Sequence, residues 1–167
     1  MPLTFEEIES KIKGVILGLF GSIIASFGVA LGVSVLTPNH WTILLSGLIV
    51  GTASSFANSF GPLVSKFRLT SLTGGQAYSG NDLMQATASS ALTFIIVGMP
   101  LISYVLMDDL AIARVISVMT GLVLLFIFGI HRAQLENESP LVYGFKMSLM
   151  GAAGAAICYL VATHFIK

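Results

Sequence analysis

The sequence predicts an all-α polytopic membrane protein with five transmembrane helices and a short N-terminal amphipathic helix, and three observations carry that prediction. Of its 167 residues, 55% are hydrophobic and only 10% are charged, against about 25% charged in an average soluble domain. The mean hydropathy of +0.91 makes lipid the natural solvent for most of the chain. The apolar residues also come in long runs: from Gly14 to Ser65 there is no Asp, Glu, Lys or Arg, a stretch of 52 residues, where about 20 suffice to cross the hydrocarbon. Backbone groups in hydrocarbon must pair internally, and a helix does this within one segment. A barrel would instead alternate over segments of about ten residues. By length, residues 1–167 make a single transmembrane domain.

Residues 4–13 read as the amphipathic helix. Thr4 and Glu7 fit a capping box, and Phe5, Ile8 and Ile12 share a face. The acidic start, Glu6-Glu7-Ile8-Glu9, is unlike the basic region of a cleaved leader, so span one serves as the insertion signal. Thr37-Pro38-Asn39-His40-Trp41 divides the uncharged stretch into spans at about 14–36 and 42–65, because proline stops a helix and Trp and His suit an interface. Lys66 to Leu83 is polar, with Gly74-Gly75 and Gly80-Asn81-Asp82, and reads as a loop or short interfacial helix and a turn. Span three covers about 84–107 with Pro100 inside it, ending at Asp108-Asp109. Span four covers about 111–131, ending at His131-Arg132. Span five, about 141–165, opens at Ser139-Pro140, where the missing N–H of a first-turn proline costs nothing.

Charge sets the orientation. With five spans, Lys11, Lys13, Lys66, Arg68, Arg132 and Lys146 fall on one side and only Arg114 and Lys167 on the other. Six against two places the N-terminus in the cytoplasm and the C-terminus outside a cell membrane. Net charge is zero and there is no basic run, so no nucleic acid partner is expected. Cys158 is the single cysteine, which excludes an intramolecular disulfide and a Cys-based metal cluster. No phosphate cradle, nucleophile elbow, HExxH or paired-carboxylate motif occurs. An enzyme is not expected, nor a cofactor.

Small residues are spaced for close packing. Gly14, Gly18, Ser22 and Ser26 recur every four residues in span one, as do Gly47, Gly51, Ser55 and Ser59 in span two. Gly28 and Gly32 extend span one, and Gly151 and Gly154 thin a face of span five. Such stripes let helix backbones approach and serine hydroxyls bond across the contact. Packing accounts for them in full. The same faces can also enclose a narrow polar path lined by Ser22, Ser26, Ser54, Ser55, Asn58 and Ser59.

Ionisable groups inside a membrane mark ion paths, and here no carboxylate lies mid-span. The most unusual mid-span residue is Asn58, with Pro62 four residues later leaving the Asn58 carbonyl without its helical donor. That carbonyl and the amide oxygen are candidate cation ligands, although a packing hydrogen bond beside a kink explains the pair as well. Met84, Met99, Met107, Met119, Met147 and Met150 offer soft thioethers, and packing or lipid contact explains them more simply.

These spans together resemble the vacuolar iron transporter family. Gly18-Leu19-Phe20-Gly21-Ser22-Ile23-Ile24-Ala25-Ser26-Phe27-Gly28-Val29-Ala30-Leu31-Gly32 is similar to its span-one motif, and Gly47-Leu48 with Ala53 through Ser65 to its span-two motif. Gly129 with Arg132, Lys146-Met147 through Gly151, and Tyr159-Leu160 resemble its closing stretch. The resemblance implies five spans, a homodimer in the lipid bilayer, and export of a divalent iron or manganese ion from the cytosol. It places the family's membrane aspartate on Gly21, its span-two methionine on Asn58 and a common glutamate on Pro62. Lys66 to Leu83 has no glutamate where the family carries cytosolic metal-binding helices, so the chain resembles a short, archaeal-type member. The alternative is a scaffold or interaction protein that kept the fold and lost transport.

Overall fold

The fold is given by a computed structural model that describes residues 5–73, 80–136 and 138–165, with side chains placed for 19–61, 84, 86–134 and 138–165. The elements are α1 (Phe5–Leu36), α2 (His40–Thr73), α3 (Gly80–Leu101), α4 (Ser103–Leu106), α5 (Leu110–Glu136) and α6 (Pro140–Phe165). Five of them are long and apolar enough to cross a membrane, and no strand occurs among the described residues. The protein is an all-α polytopic membrane protein.

Local chemistry sets the breaks. α1 stops before Pro38, and Asn39 starts α2 by accepting from the Thr42 N–H at 3.1 Å with its side-chain oxygen. Asp109 does the same for α5, accepting from the Ala111 N–H at 2.7 Å. Pro140 opens α6 with no donor to lose.

The helices depart from the expected spans in five places. The segment expected as a separate amphipathic helix is the beginning of α1, which runs unbroken from Phe5, because no glycine or proline lies between Phe5 and Gly14 to interrupt it. The side chains that would form its apolar face lie outside the described residues, as do Thr4 and the side chains of Gly14 and Gly18. The stretch from Lys66, expected as a loop or separate short helix, continues α2 to Thr73, just short of the Gly74-Gly75 pair. Leaving the bilayer does not end a helix; a breaker does. α2 also continues through Pro62, where the sequence suggested a kink. Span three is two helices, α3 and α4, with Ile102 between them just after Pro100. α5 continues to Glu136, past the boundary expected at His131-Arg132.

α1 is the centre of the bundle, packing against α2, α3, α5 and α6. Half of its membrane window is buried, against 22–33% in the other spans. Ile23, Phe27, Ala30 and Leu31 join Ile43, Val97, Leu101, Tyr104, Ala113, Leu125 and Ala155 in one core. The stripes lie at the crossings. A Cβ on Gly51 would fall 2.4 Å from Val97 Cγ1 and 3.0 Å from Ser26 Cβ, so α1, α2 and α3 meet there. Gly28 and Gly32 face Cys158 on α6 instead. The outer faces carry Ile49, Phe56, Leu106, Val115, Phe145 and Leu160, all exposed to the surrounding lipid.

Ser26 ties the α1–α2 crossing, its hydroxyl donating to the Gly47 carbonyl at 2.8 Å. Ser26→Ala removes one interhelical bond without leaving an orphan, since that carbonyl retains its helical donor. The expected loss is about 1 kcal/mol, read as a lower unfolding midpoint in denaturant titration of the micellar protein.

Candidate functional site

The α1 and α2 faces bring some of the expected path residues together and send others elsewhere. Ser22, Ser26 and Ser55 are buried, Ser54 and Ser59 half-buried, and Asn58 exposed at the edge of the helix pair. Asn58 reaches α1: its Nδ2 donates to Ser22 Oγ at 3.4 Å. Ser26 spends its hydroxyl on Gly47. Ser55 turns toward α3, with its Oγ 3.2 Å from the Ser90 carbonyl and 3.4 Å from Ser90 Oγ. Pro62 lies within α2, and its side chain is outside the described residues.

Gly21 completes the contact. Among the described residues, a Cβ built there would meet only Asn58 Nδ2, at 3.6 Å, which is ordinary van der Waals contact. Gly21, Ser22 and Asn58 therefore share one small polar junction between α1 and α2. The oxygens it presents are neutral: the Ser22 hydroxyl and the Asn58 amide. Such hard donors suit a hard cation better than a soft one. Among the described residues no group of three or more His, Cys, Asp or Glu gathers to hold a metal.

Of the stripe glycines, Gly47 abuts Ala30 and Leu101, and Gly51 abuts Ser26 and Val97. Their place is helix packing, which sets the α1–α2 separation at the junction. Of the methionines, Met147 is buried on α6 while Met84, Met99, Met119 and Met150 are exposed.

A second polar group, centred on Arg114, has no motif in the sequence, where Arg114 stands only as one charge between spans. Arg114 lies one turn inside α5, and its Nε donates to Ser34 Oγ at 2.8 Å. Its terminal nitrogen Nη2 donates to the Ser34 carbonyl, one of the carbonyls that the end of α1 leaves without a helical donor. The available signal was position: an arginine four residues into an apolar run needs an acceptor.

A comparison with curated proteins returns no match. The VIT family model matches residues 64–163, from the last part of α2 to near the end of α6, while the Gly21–Ser22–Asn58 junction lies before that segment. More than half of the sequence, covering three of the six helices in full and nearly all of α6, fits the family pattern, and the chain belongs to the VIT family, the vacuolar iron transporters.

Proposed function

We propose that this protein exports a divalent metal cation, iron or manganese, from the cytosol along the α1–α2 junction, with its N-terminus cytoplasmic and its C-terminus outside. Membership of a metal-ion transporter family supports metal transport in general. The observation that carries the finer reading is the meeting of Gly21 and Asn58. These are the two positions onto which the resemblance placed the family's aspartate and methionine, and they face one another with 3.6 Å from a Gly21 Cβ to Asn58 Nδ2. Ser22 Oγ and Asn58 Oδ1 replace hydration oxygens of the passing ion, and Ser26, Ser54, Ser55, Ser59 and Pro62 lie along the same two helices. A homodimer fits the exposed position of Asn58: an amide at a lipid-facing edge is costly, and a second copy would cover it.

Asn58→Leu tests the path. The side chain is exposed, so the fold should survive. Uptake of manganese and ferrous ions by reconstituted vesicles is expected to fall at least tenfold, with the melting temperature lowered only by the loss of the Asn58–Ser22 bond, as for Ser26→Ala. Full flux in the variant removes Asn58 from the path. No flux of any divalent metal in the unmodified protein would favour the scaffold reading.

A further inference from the structure

α1 ends, α2 begins, α3 breaks into α4, and α5 begins at the same end of the bundle, the end away from Phe5. Here the short α4 is packed inward: Tyr104 is 0% exposed and Ser103 3%. It follows the point where Pro100 offers no N–H to the preceding turn, while Ile102 keeps helical dihedrals and its N–H bonds the Gly98 carbonyl at 3.0 Å.

Two sets of polar bonds hold this arrangement shut. His40 Nδ1 at the start of α2 donates to the Tyr104 carbonyl at 2.5 Å. Arg114 of α5 holds Ser34 at the end of α1 through both its hydroxyl and its carbonyl. Ser103 Oγ adds contacts of 2.8 Å to the Pro100 carbonyl and 3.1 Å to the Ala113 carbonyl.

Within this seat two hydroxyls, Tyr104 OH and Ser117 Oγ, are buried without a hydrogen-bond partner. Ser34, Ser117 and Arg114 are the polar neighbours of the Tyr104 hydroxyl, close by but outside bonding geometry. An orphaned buried hydroxyl costs about 1–3 kcal/mol, and water would satisfy both at once. The closed arrangement thus combines specific latches with a penalty that hydration relieves, which is the balance a two-state element needs.

We propose that α4, hinged at Pro100–Ile102 and seated by Tyr104, is a gate that closes this end of the bundle, with His40–Tyr104 and Arg114–Ser34 as its latches. The role as a gate rests on the transport reading above. While it is shut, the Arg114 guanidinium also sets a positive charge against any cation approaching the seat. Opening moves α4 outward, frees Arg114 from Ser34, and admits water to Tyr104 and Ser117.

The test uses Ser117→Cys in a Cys158→Ala background, so that the seat holds the one thiol. The protein is placed in lipid nanodiscs, where a charged maleimide reaches both faces and no metal is needed. Labelling is expected to be slow, to rise at least tenfold with Arg114→Met or His40→Ala, and to slow further with Tyr104→Phe. Gly129→Ala, which strains the distant α5–α6 contact, should lower the melting temperature without speeding labelling. Equal labelling in the Arg114→Met and parent proteins overturns the gate. So does faster labelling in Tyr104→Phe, or an equal rise in Gly129→Ala. Because labelling reads α4 without flux, the gate and the transport reading fail separately.

Discussion

Gly129→Ala is expected to destabilise this protein more than any other single methyl addition at a helix crossing. The added Cβ would fall 2.7 Å from the Gly144 Cα, 3.1 Å from the Tyr143 carbonyl oxygen and 3.2 Å from the Gly144 nitrogen. All three are backbone atoms of α6, so no side chain can rotate away and the helices themselves must part. Gly144 is equally confined from its own side, 3.0 Å from the Phe126 carbonyl and ring. At Gly151 the obstruction is Leu125 Cδ1 at 2.1 Å, the end of a side chain that can shift.

Overpacking of a tight contact costs about 1–3 kcal/mol, occasionally more, and backbone against backbone belongs at the upper end. The better helix propensity of alanine returns at most about 1 kcal/mol. A net loss near 2 kcal/mol should appear in denaturant titration of the micellar protein, and Gly129→Leu should yield no folded protein. Gly61→Ala is the opposite case: among the described residues nothing lies within 4 Å of its Cβ position, so the propensity gain dominates and stability should hold or rise. A Gly129→Ala protein as stable as its parent would mean that α5 and α6 do not cross there.

Why that crossing was hidden in the sequence, when others were visible, has a physical reason. The rods themselves are set by lipid, which forces every apolar run of sufficient length to pair its own backbone, so hydropathy alone delineates them. The span-one and span-two stripes were legible because four small residues recur at one spacing. α5 has the same period at its buried face, Ala113, Ser117, Gly121, Leu125, Gly129 and Ala133, yet Leu125 interrupts the run of small residues and masks it. Helix ends were harder. Composition marks where the hydrocarbon stops, while α2 stops only near a breaker, at Thr73. At the candidate junction, sequence could pair Asn58 with a serine of α1 in principle. Only the folded crossing selects Ser22, and sends Ser55 to Ser90 on α3. The Arg114–Ser34 pair spans 80 residues, beyond the reach of local patterning.

Gly21→Asp is expected to convert the junction from a weak metal contact into a strong one. Room exists: among the described residues the Cβ would sit 3.6 Å from Asn58 Nδ2, with no backbone atom closer than 4 Å outside its own helix turn. Without metal, a carboxylate in mid-span costs about 2.5–3.5 kcal/mol on insertion scales. An amide donor beside it offsets part of that, so the metal-free variant should melt below the parent. A divalent cation reverses the sign, because two opposite charges in a medium of low dielectric attract far more strongly than a cation and a neutral amide. The variant should bind manganese at least tenfold more tightly than the parent, about 1.4 kcal/mol. A ligand that binds only the folded form adds about 2.7 kcal/mol at a hundredfold excess over its Kd, so added manganese should bring the melting temperature back to or above that of the parent. Gly21→Asn supplies similar bulk without charge and should show no such recovery. If Gly21→Asp melts low and no divalent cation restores it, or if Gly21→Asn responds equally, the Gly21–Ser22–Asn58 contact is a packing feature and the ion crosses elsewhere.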